Sequence, residues 1–183
     1  MREYYQTFLI RHWQPGDRAL AAKVIRSVLI EYGLDWEPDA ADRDVREVET
    51  YYLQTGGEFW VIEQAGKVVG TGAYYPIQRE PNAVEIRKMY LLPAARGKGL
   101  GRWLLHQLEA AIAVREFEQI WIETASVLQE AVKLYESNGY EPAIGVETAR
   151  CDRVYMKKVK NIGLTQINRN LPPNPQFWVG KIL

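Results

Sequence analysis

A glycine-punctuated loop, Arg96-Gly97-Lys98-Gly99-Leu100-Gly101, separates a strand-like run, Val84 to Leu91, from the strongest helical pattern in the chain. In that pattern Leu104, Leu105, Leu108, Ala111 and Ile112 form one apolar stripe. Glycines between a strand and a helix remove Cβ atoms, so the backbone can approach a ligand closely. The first helical turn leaves its N–H groups unsatisfied and carries a partial positive charge. With Arg96, Lys98 and Arg102 alongside, the combination suits a phosphate or pyrophosphate. A chain built around such a unit folds as strand, loop and helix at this point.

The remaining pattern places the unit in a mixed fold. Thr7 to Arg11 reads as a short strand, and a helix capped by Asp17 carries Leu20, Ala21, Val24, Val28 and Tyr32 up to Gly33. A second helix is expected after Pro38, with Val45, Val48 and Tyr52 on one face. Glu58 to Glu63 and Lys67 to Tyr75 read as a hairpin around Gly66. After the helix from Gly101 to Arg115 come a strand at Gln119 to Thr124 and a helix at Val127 to Asn138 closed by Gly139. Tyr140 to Ile144 and Asp152 to Lys158 form a final hairpin. The order β-α-α-β-β-β-α-β-α-β-β predicts an α/β (α+β) domain with a mixed, mostly antiparallel sheet of about seven strands and helices on both faces.

The 183 residues suit one domain with a modest surplus. The domain is expected over residues 1–158 and a tail over 159–183. Pro172, Pro173 and Pro175 interrupt regular structure in the tail, yet Phe177, Trp178, Ile182 and Leu183 are too apolar for a solvated end. The tail is either partly disordered, or docked on its own domain or a second copy of the chain, which would make a homodimer.

Lys+Arg and Asp+Glu are both 23, so a partner bound through bulk basicity, such as a nucleic acid, is not expected. Cys151 is the only cysteine, and His12 and His106 lie far apart, so neither a disulfide nor a metal site is expected. No apolar stretch has the length of a membrane span, and the N-terminus has no signal core. These readings predict a cytoplasmic protein without a membrane partner.

Two other phosphate cradles fail on spacing. Gly97-Lys98-Gly99 lacks the Ser or Thr and the earlier Gly of a P-loop, and Arg102 and Leu104 stand where a dinucleotide fingerprint needs Gly. Arg-x-x-Gly-x-Gly, over Arg96, Gly99 and Gly101, instead resembles the acetyl-coenzyme A loop of the GNAT N-acetyltransferases. The likeness extends over Glu85 to Leu105 and again over Glu130 to Pro142, with Leu134-Tyr135 and Gly139-Tyr140. One departure is Leu128, seven residues before Tyr135, where many relatives carry Asn.

The resemblance implies an acetyl-CoA-dependent N-acetyltransferase that acts by direct attack in a ternary complex. Its acceptor would be a primary amine, of a small molecule or alternatively of a protein. A longer acyl donor, or coenzyme A binding without catalysis, are the other readings. The resemblance further implies that the backbone of Met89, Tyr90 and Leu91 holds the pantetheine arm, while Gly97, Lys98, Gly99, Leu100, Gly101 and Arg102, with Arg96, hold the pyrophosphate. Tyr135 would protonate the leaving thiolate, against the plain reading of a packing aromatic. Glu85 would be the general base, with Glu123 and then Thr124 in reserve, against an ordinary ion pair with Arg87 or Lys88.

Asp39, Asp42, Asp44, Glu47 and Glu49, near Trp36, Tyr51 and Tyr52, form either a solvated helix face or an acidic mouth for a cationic amine. Trp60, Trp103 and Trp121 are expected in the core. Cys151 is expected to be a small buried hydrophobe.

Overall fold

The computed structural model describes residues 1–159, and the expectations for the tail beyond Val159 fall outside the described residues. A hairpin of β1 (Arg2–Tyr5) and β2 (Phe8–His12) leads into helix α1 (Arg18–Glu31). A short α2 (Arg43–Arg46) and a π-helical turn at Glu49–Leu53 follow. Next come β3 (Glu58–Gln64), β4 (Lys67–Ile77), β5 (Ala83–Leu91), α3 (Leu100–Val114), β6 (Gln119–Thr124), α4 (Gln129–Ser137), β7 (Glu141–Pro142) and β8 (Arg153–Lys158). The strands form one sheet in the order β1-β2-β3-β4-β5-β6-β8-β7. Among the described residues only β5 and β6 pair in parallel.

The mixed, mostly antiparallel architecture is the expected one, but the sheet has eight strands, not about seven. The additional strand is β1, which pairs with β2 from Arg2↔Arg11 to Tyr5↔Phe8. Its residues lie on an outer edge and are mostly exposed, so they carry no apolar alternation to mark a strand. The helix expected after Pro38 is also corrected, to the short α2 and the π-turn. Val45, Val48 and Tyr52 are all fully buried, so the apolar face is real while the helix beneath it is broken.

Alternation along the strands divides the core between the two sheet faces. Trp60 and Ile62 face α3, with Leu104, Leu105, Leu108 and Ile112 packed on them. Phe59 and Val61 face α1, against Ala21, Ile25 and Leu29. Each fully buried Leu or Ile contributes about 1.5–3 kcal/mol, so α3 is anchored far beyond what its propensity supplies. Trp60 is a core residue, as expected; Trp103 and Trp121 are only partly buried. Trp103 stacks on Tyr5 at 5.3 Å, and Trp121 lies under Arg79 at 4.7 Å.

One irregularity decides where a ligand can enter. Thr71 pairs with Tyr90 and Ala73 with Arg87, so Lys88 and Met89 together stand against Gly72 alone. This is a β-bulge, with Lys88 at φ +52° and its carbonyl accepting a bond from Thr71 Oγ1 at 2.6 Å. The bulge bends β5 beyond Glu85. The parallel ladder with β6 runs only from Ala83↔Gln119 to Glu85↔Trp121. From Ile86 and Ile122 onward the two strands line a cleft.

Candidate active site

The rim of the cleft is set by the loop before α3. Gly97 and Gly99 have φ of +72° and +78°, conformations that side-chain-bearing residues rarely adopt. Gly99 is the N-cap of α3, and Trp103 makes the first bond back to its carbonyl. The N–H groups of Leu100, Gly101 and Arg102 therefore precede the intrahelical ladder. Arg96 is turned to the protein: its Nε donates to the Leu91 carbonyl at 2.8 Å, and its Nη atoms grip Glu31 at 2.7 and 2.8 Å. Lys98 Nζ donates to the Ala94 carbonyl at 2.9 Å, and the Lys98 carbonyl accepts from Tyr5 Oη at 3.0 Å. A Cβ on Gly99 would lie 2.6 Å from that hydroxyl, so the edge hairpin braces the loop closely.

Behind the rim the cleft has a volume of about 520 Å³, within the range of small-molecule and cofactor sites. Met89, Tyr90 and Leu91 line it from β5, and Thr124 from β6. Arg96, Gly97, Gly99, Gly101 and Arg102 line it from the loop and α3, and Tyr135 from α4. Lys98 and Leu100 do not line it; Leu100 is packed into the core. Leu128 lines the cleft with an alkyl group. A helix start for a pyrophosphate, a bare strand edge for amides and apolar walls for an alkyl arm together fit acetyl-coenzyme A.

Tyr135 is 5% exposed, and its ring packs beside Tyr140 and Tyr155 at 5.9 and 6.3 Å. Burial raises its hydroxyl above the ordinary tyrosine value, with the nearby Tyr90 and Cys151 adding to the effect. The proton therefore stays on oxygen at neutral pH, available for donation.

Glu85 lines a smaller void of about 40 Å³, which shares Arg87, Lys88, Tyr90, Glu123, Arg150 and Cys151 with the main cleft. Burial raises the Glu85 carboxyl; the charge of Arg87 opposes this and that of Glu123 reinforces it. Its hydrogen bond comes from Tyr75 Oη at 3.1 Å.

Glu123 is differently placed. It accepts from Arg79 and from the backbone N–H groups of Glu147 and Thr148, each at 2.8 Å. Burial would raise its carboxyl, but these bonds outweigh burial and lower it. It is a brace for the segment before β8. Cys151 is partly buried and lines both spaces, and burial raises its thiol to about 11. So little thiolate forms at neutral pH that it is a poor nucleophile.

The acidic stretch is divided, with Asp39, Glu47 and Glu49 at the surface and Asp42 and Asp44 inside, and each of the five is paired with a cation. Asp42 is fully buried, accepting from Lys88 at 2.6 Å and from both Nη atoms of Arg150 at 2.6 Å. Asp44 is 4% exposed and 3.1 Å from Lys88 Nζ. Asp39, Glu47 and Glu49 pair with Arg46, Arg43 and Arg18. The negative charge is consumed within the protein. Arg87, Lys88 and Arg150 are cations lining the cleft that the sequence did not mark as site residues. The one visible signal was three charged residues, Glu85, Arg87 and Lys88, within one central strand.

Among the described residues, no group of three or more His, Cys, Asp or Glu could hold a metal ion. Among them, also, no helix is long and apolar enough to cross a membrane.

Residues 25–140 match the model of the acetyltransferase (GNAT) family. The chain is 40% identical over 141 residues to an uncharacterized N-acetyltransferase, YjgM, of Escherichia coli K12, covering 74% of this chain and 83% of that protein. It is 34% identical over 116 residues to an N-acetylaspartate synthetase of Danio rerio, covering 63% of this chain but only 39% of that protein. Among solved structures, yncA of Salmonella typhimurium, an acetyltransferase determined with acetyl-CoA, has a TM-score of 0.66 at 22% identity, covering 85% of this chain and 95% of the other.

Proposed function

Because the chain belongs to the acetyltransferase (GNAT) family, we propose that it moves the acetyl group of acetyl-CoA to the primary amine of a small molecule, by direct attack while both substrates are bound. One observation carries this reading: the cleft at the split of β5 and β6 is contiguous with a second void at Glu85, so donor and acceptor can occupy the site together. A poorly ionised Cys151 thiol speaks against an acyl-cysteine route. The likeness to an N-acetylaspartate synthetase supports a small-molecule acceptor.

Acetyl-CoA, when bound, supplies an acyl thioester. The N–H groups of Leu100, Gly101 and Arg102 would hold its pyrophosphate, and the backbone from Met89 to Leu91 its pantetheine arm. Arg96 acts on the loop's shape through Glu31 and the Leu91 carbonyl. Glu85 takes a proton from the acceptor ammonium, and its raised carboxyl value brings it closer to neutrality, where a base works best. Tyr135 holds a proton at its hydroxyl within the cleft, for the departing thiolate. A cytoplasmic location and one domain over residues 1–158 complete the proposal.

The test is thiol release from acetyl-CoA in the presence of amino acids, polyamines, aminoglycosides and peptides. Acceptor-dependent release with one small-molecule class is the expected result. Acetyl-CoA binding without release in any class would leave a non-catalytic binding protein.

A further inference from the structure

The charged groups around the smaller void are not equally engaged. The largely buried cations there are Arg79, Arg87, Lys88 and Arg150, and the largely buried anions Asp42, Asp44, Glu85 and Glu123, four against four, with the exposed Glu147 reaching Arg79 from outside at 3.1 Å. Lys88 is bound to Asp42 and the Ala41 carbonyl, at 2.6 and 3.0 Å. Arg150 is bound to Asp42 through both Nη atoms and to the Asp35 carbonyl. Arg79 is committed to Glu123 and stacked on Trp121.

Arg79 makes a single hydrogen bond, to Glu123, and leaves a buried Nη1 unpartnered among the described residues, but it does not line the void. Arg87 does, and among the described residues it is the one of these cations with no hydrogen bond to a carboxylate. Of the five N–H donors of a guanidinium, its one hydrogen bond among the described residues runs from Nη1 to Tyr75 Oη at 3.2 Å. Its contacts with Glu85 and Asp44, at 3.6 and 3.8 Å, are ion pairs too long for hydrogen bonds. Among the anions, Asp42 and Glu123 are each bound to several donors. Among the described residues Glu85 accepts from Tyr75 alone and Asp44 from Tyr52 alone; of these two only Glu85 lines the void.

Glu85 and Arg87 are two apart on β5 and therefore on one face of the strand. Both line the small void, whose 40 Å³ compares with about 10–15 Å³ for one water position. That is room for a polar head group.

We propose that the acceptor is an amine that also bears a carboxylate, such as an amino acid, with its ammonium placed at Glu85 and its carboxylate at Arg87. The proposal rests on the acetyltransferase reading above. A guanidinium with unused parallel donors fits a carboxylate in bidentate fashion. The surrounding charges already balance, so an overall neutral zwitterion adds no uncompensated charge. A polyamine would bring a cation to a guanidinium and leave its donors unmet. Arg87 is then a specificity-determining residue, and Glu85 meets the amine that reacts.

Matched acceptors test this: an amino acid, its amide and its decarboxylated amine, compared by kcat/KM and by calorimetric binding to the CoA-saturated protein. The carboxylate-bearing member is expected to win by at least tenfold. Arg87→Gln is expected to erase that preference through KM, and Arg87→Lys to recover part of it. Acetyl-CoA affinity measured on the same variants reports an intact fold. Should a variant fail to fold, the wild-type comparison still decides. Equal or better turnover of the carboxylate-free amines would overturn the proposal and leave the acetyltransferase reading standing. Carboxylate-dependent binding without acetyl transfer would do the reverse. Absence of both binding and turnover for every carboxylate-bearing amine would overturn it as well.

Discussion

Lys88 Nζ lies 2.6 Å from Asp42 Oδ1, with the two side chains 2% and 0% exposed. Arg150 reaches the same carboxylate from the segment before β8. One buried aspartate thus ties the bulged strand to the loop after α1 and to a strap across the cleft. Asp42→Asn would take from Lys88 and Arg150 the carboxylate they share, leaving only Asp44, 3.1 Å from Lys88, as a counter-charge. Removing one partner of a buried ion pair typically costs about 3–5 kcal/mol. In a chain of this size the melting temperature should fall by roughly 10 °C, measurable by calorimetry.

The same carboxylate sets a pH dependence of stability. Burial would raise its value, but the hydrogen bonds from Arg150 and the charge of Lys88 outweigh burial and bring it to about 2, from 3.8. A depressed folded value means stabilisation that is complete above the unfolded value and is lost as pH falls through the folded one. Thermal stability should therefore decline between about pH 4 and pH 2, and Asp42→Asn should show a shallower decline there.

Glu85→Gln and Tyr135→Phe should each keep acetyl-CoA binding while turnover on a verified acceptor falls at least tenfold, since proton transfer contributes about 10²–10⁴-fold. Single-turnover thiol release alongside calorimetry separates the two effects. Survival of turnover in both variants would remove these residues from the proton transfers.

The pH profile of kcat/KM isolates Glu85 further. Its carboxyl is raised by burial and must be ionised to accept a proton, so activity should fall as the solution is acidified. The inflection should lie above the ordinary glutamate value of about 4.3. Glu85→Gln should lose that limb of the profile, while Glu123→Gln, which removes a brace, should keep it.

Gly99→Glu tests the loop. It introduces a side chain at φ +78° and a Cβ against Tyr5 Oη, and it adds a carboxylate at the helix start. Acetyl-CoA affinity should drop at least tenfold, or about 1.4 kcal/mol. Unchanged affinity in calorimetry would exclude this loop as the pyrophosphate site.

What was legible in the sequence was local. Gly97, Gly99 and Gly101 announce themselves by residue type, and the stripe from Leu104 to Ile112 by spacing. Val45, Val48 and Tyr52 disclosed a buried face, but not that the backbone under them breaks into a short helix and a π-turn. The charges of Asp42 and Asp44 read as surface groups because their partners are remote: Lys88 is 46 residues from Asp42 and Arg150 is 108. No periodicity links positions so far apart. Arg87 was equally hidden, since what distinguishes it is the donors it leaves unused after folding.

The bulge at Lys88 makes the cleft a matter of parity. Side chains alternate along a strand, so one residue more or fewer exchanges inside for outside from that point on. Removing Lys88 would let Met89 and Tyr90 trade faces and would restore an even count against β4. A straightened β5 could then continue its ladder with β6 through Ile122 to Thr124. The deletion should thus lengthen the parallel ladder and close the place for a donor substrate, while taking from Asp42 and Asp44 the buried cation they share: the open cleft and the charge that anchors it rest on a single amino acid.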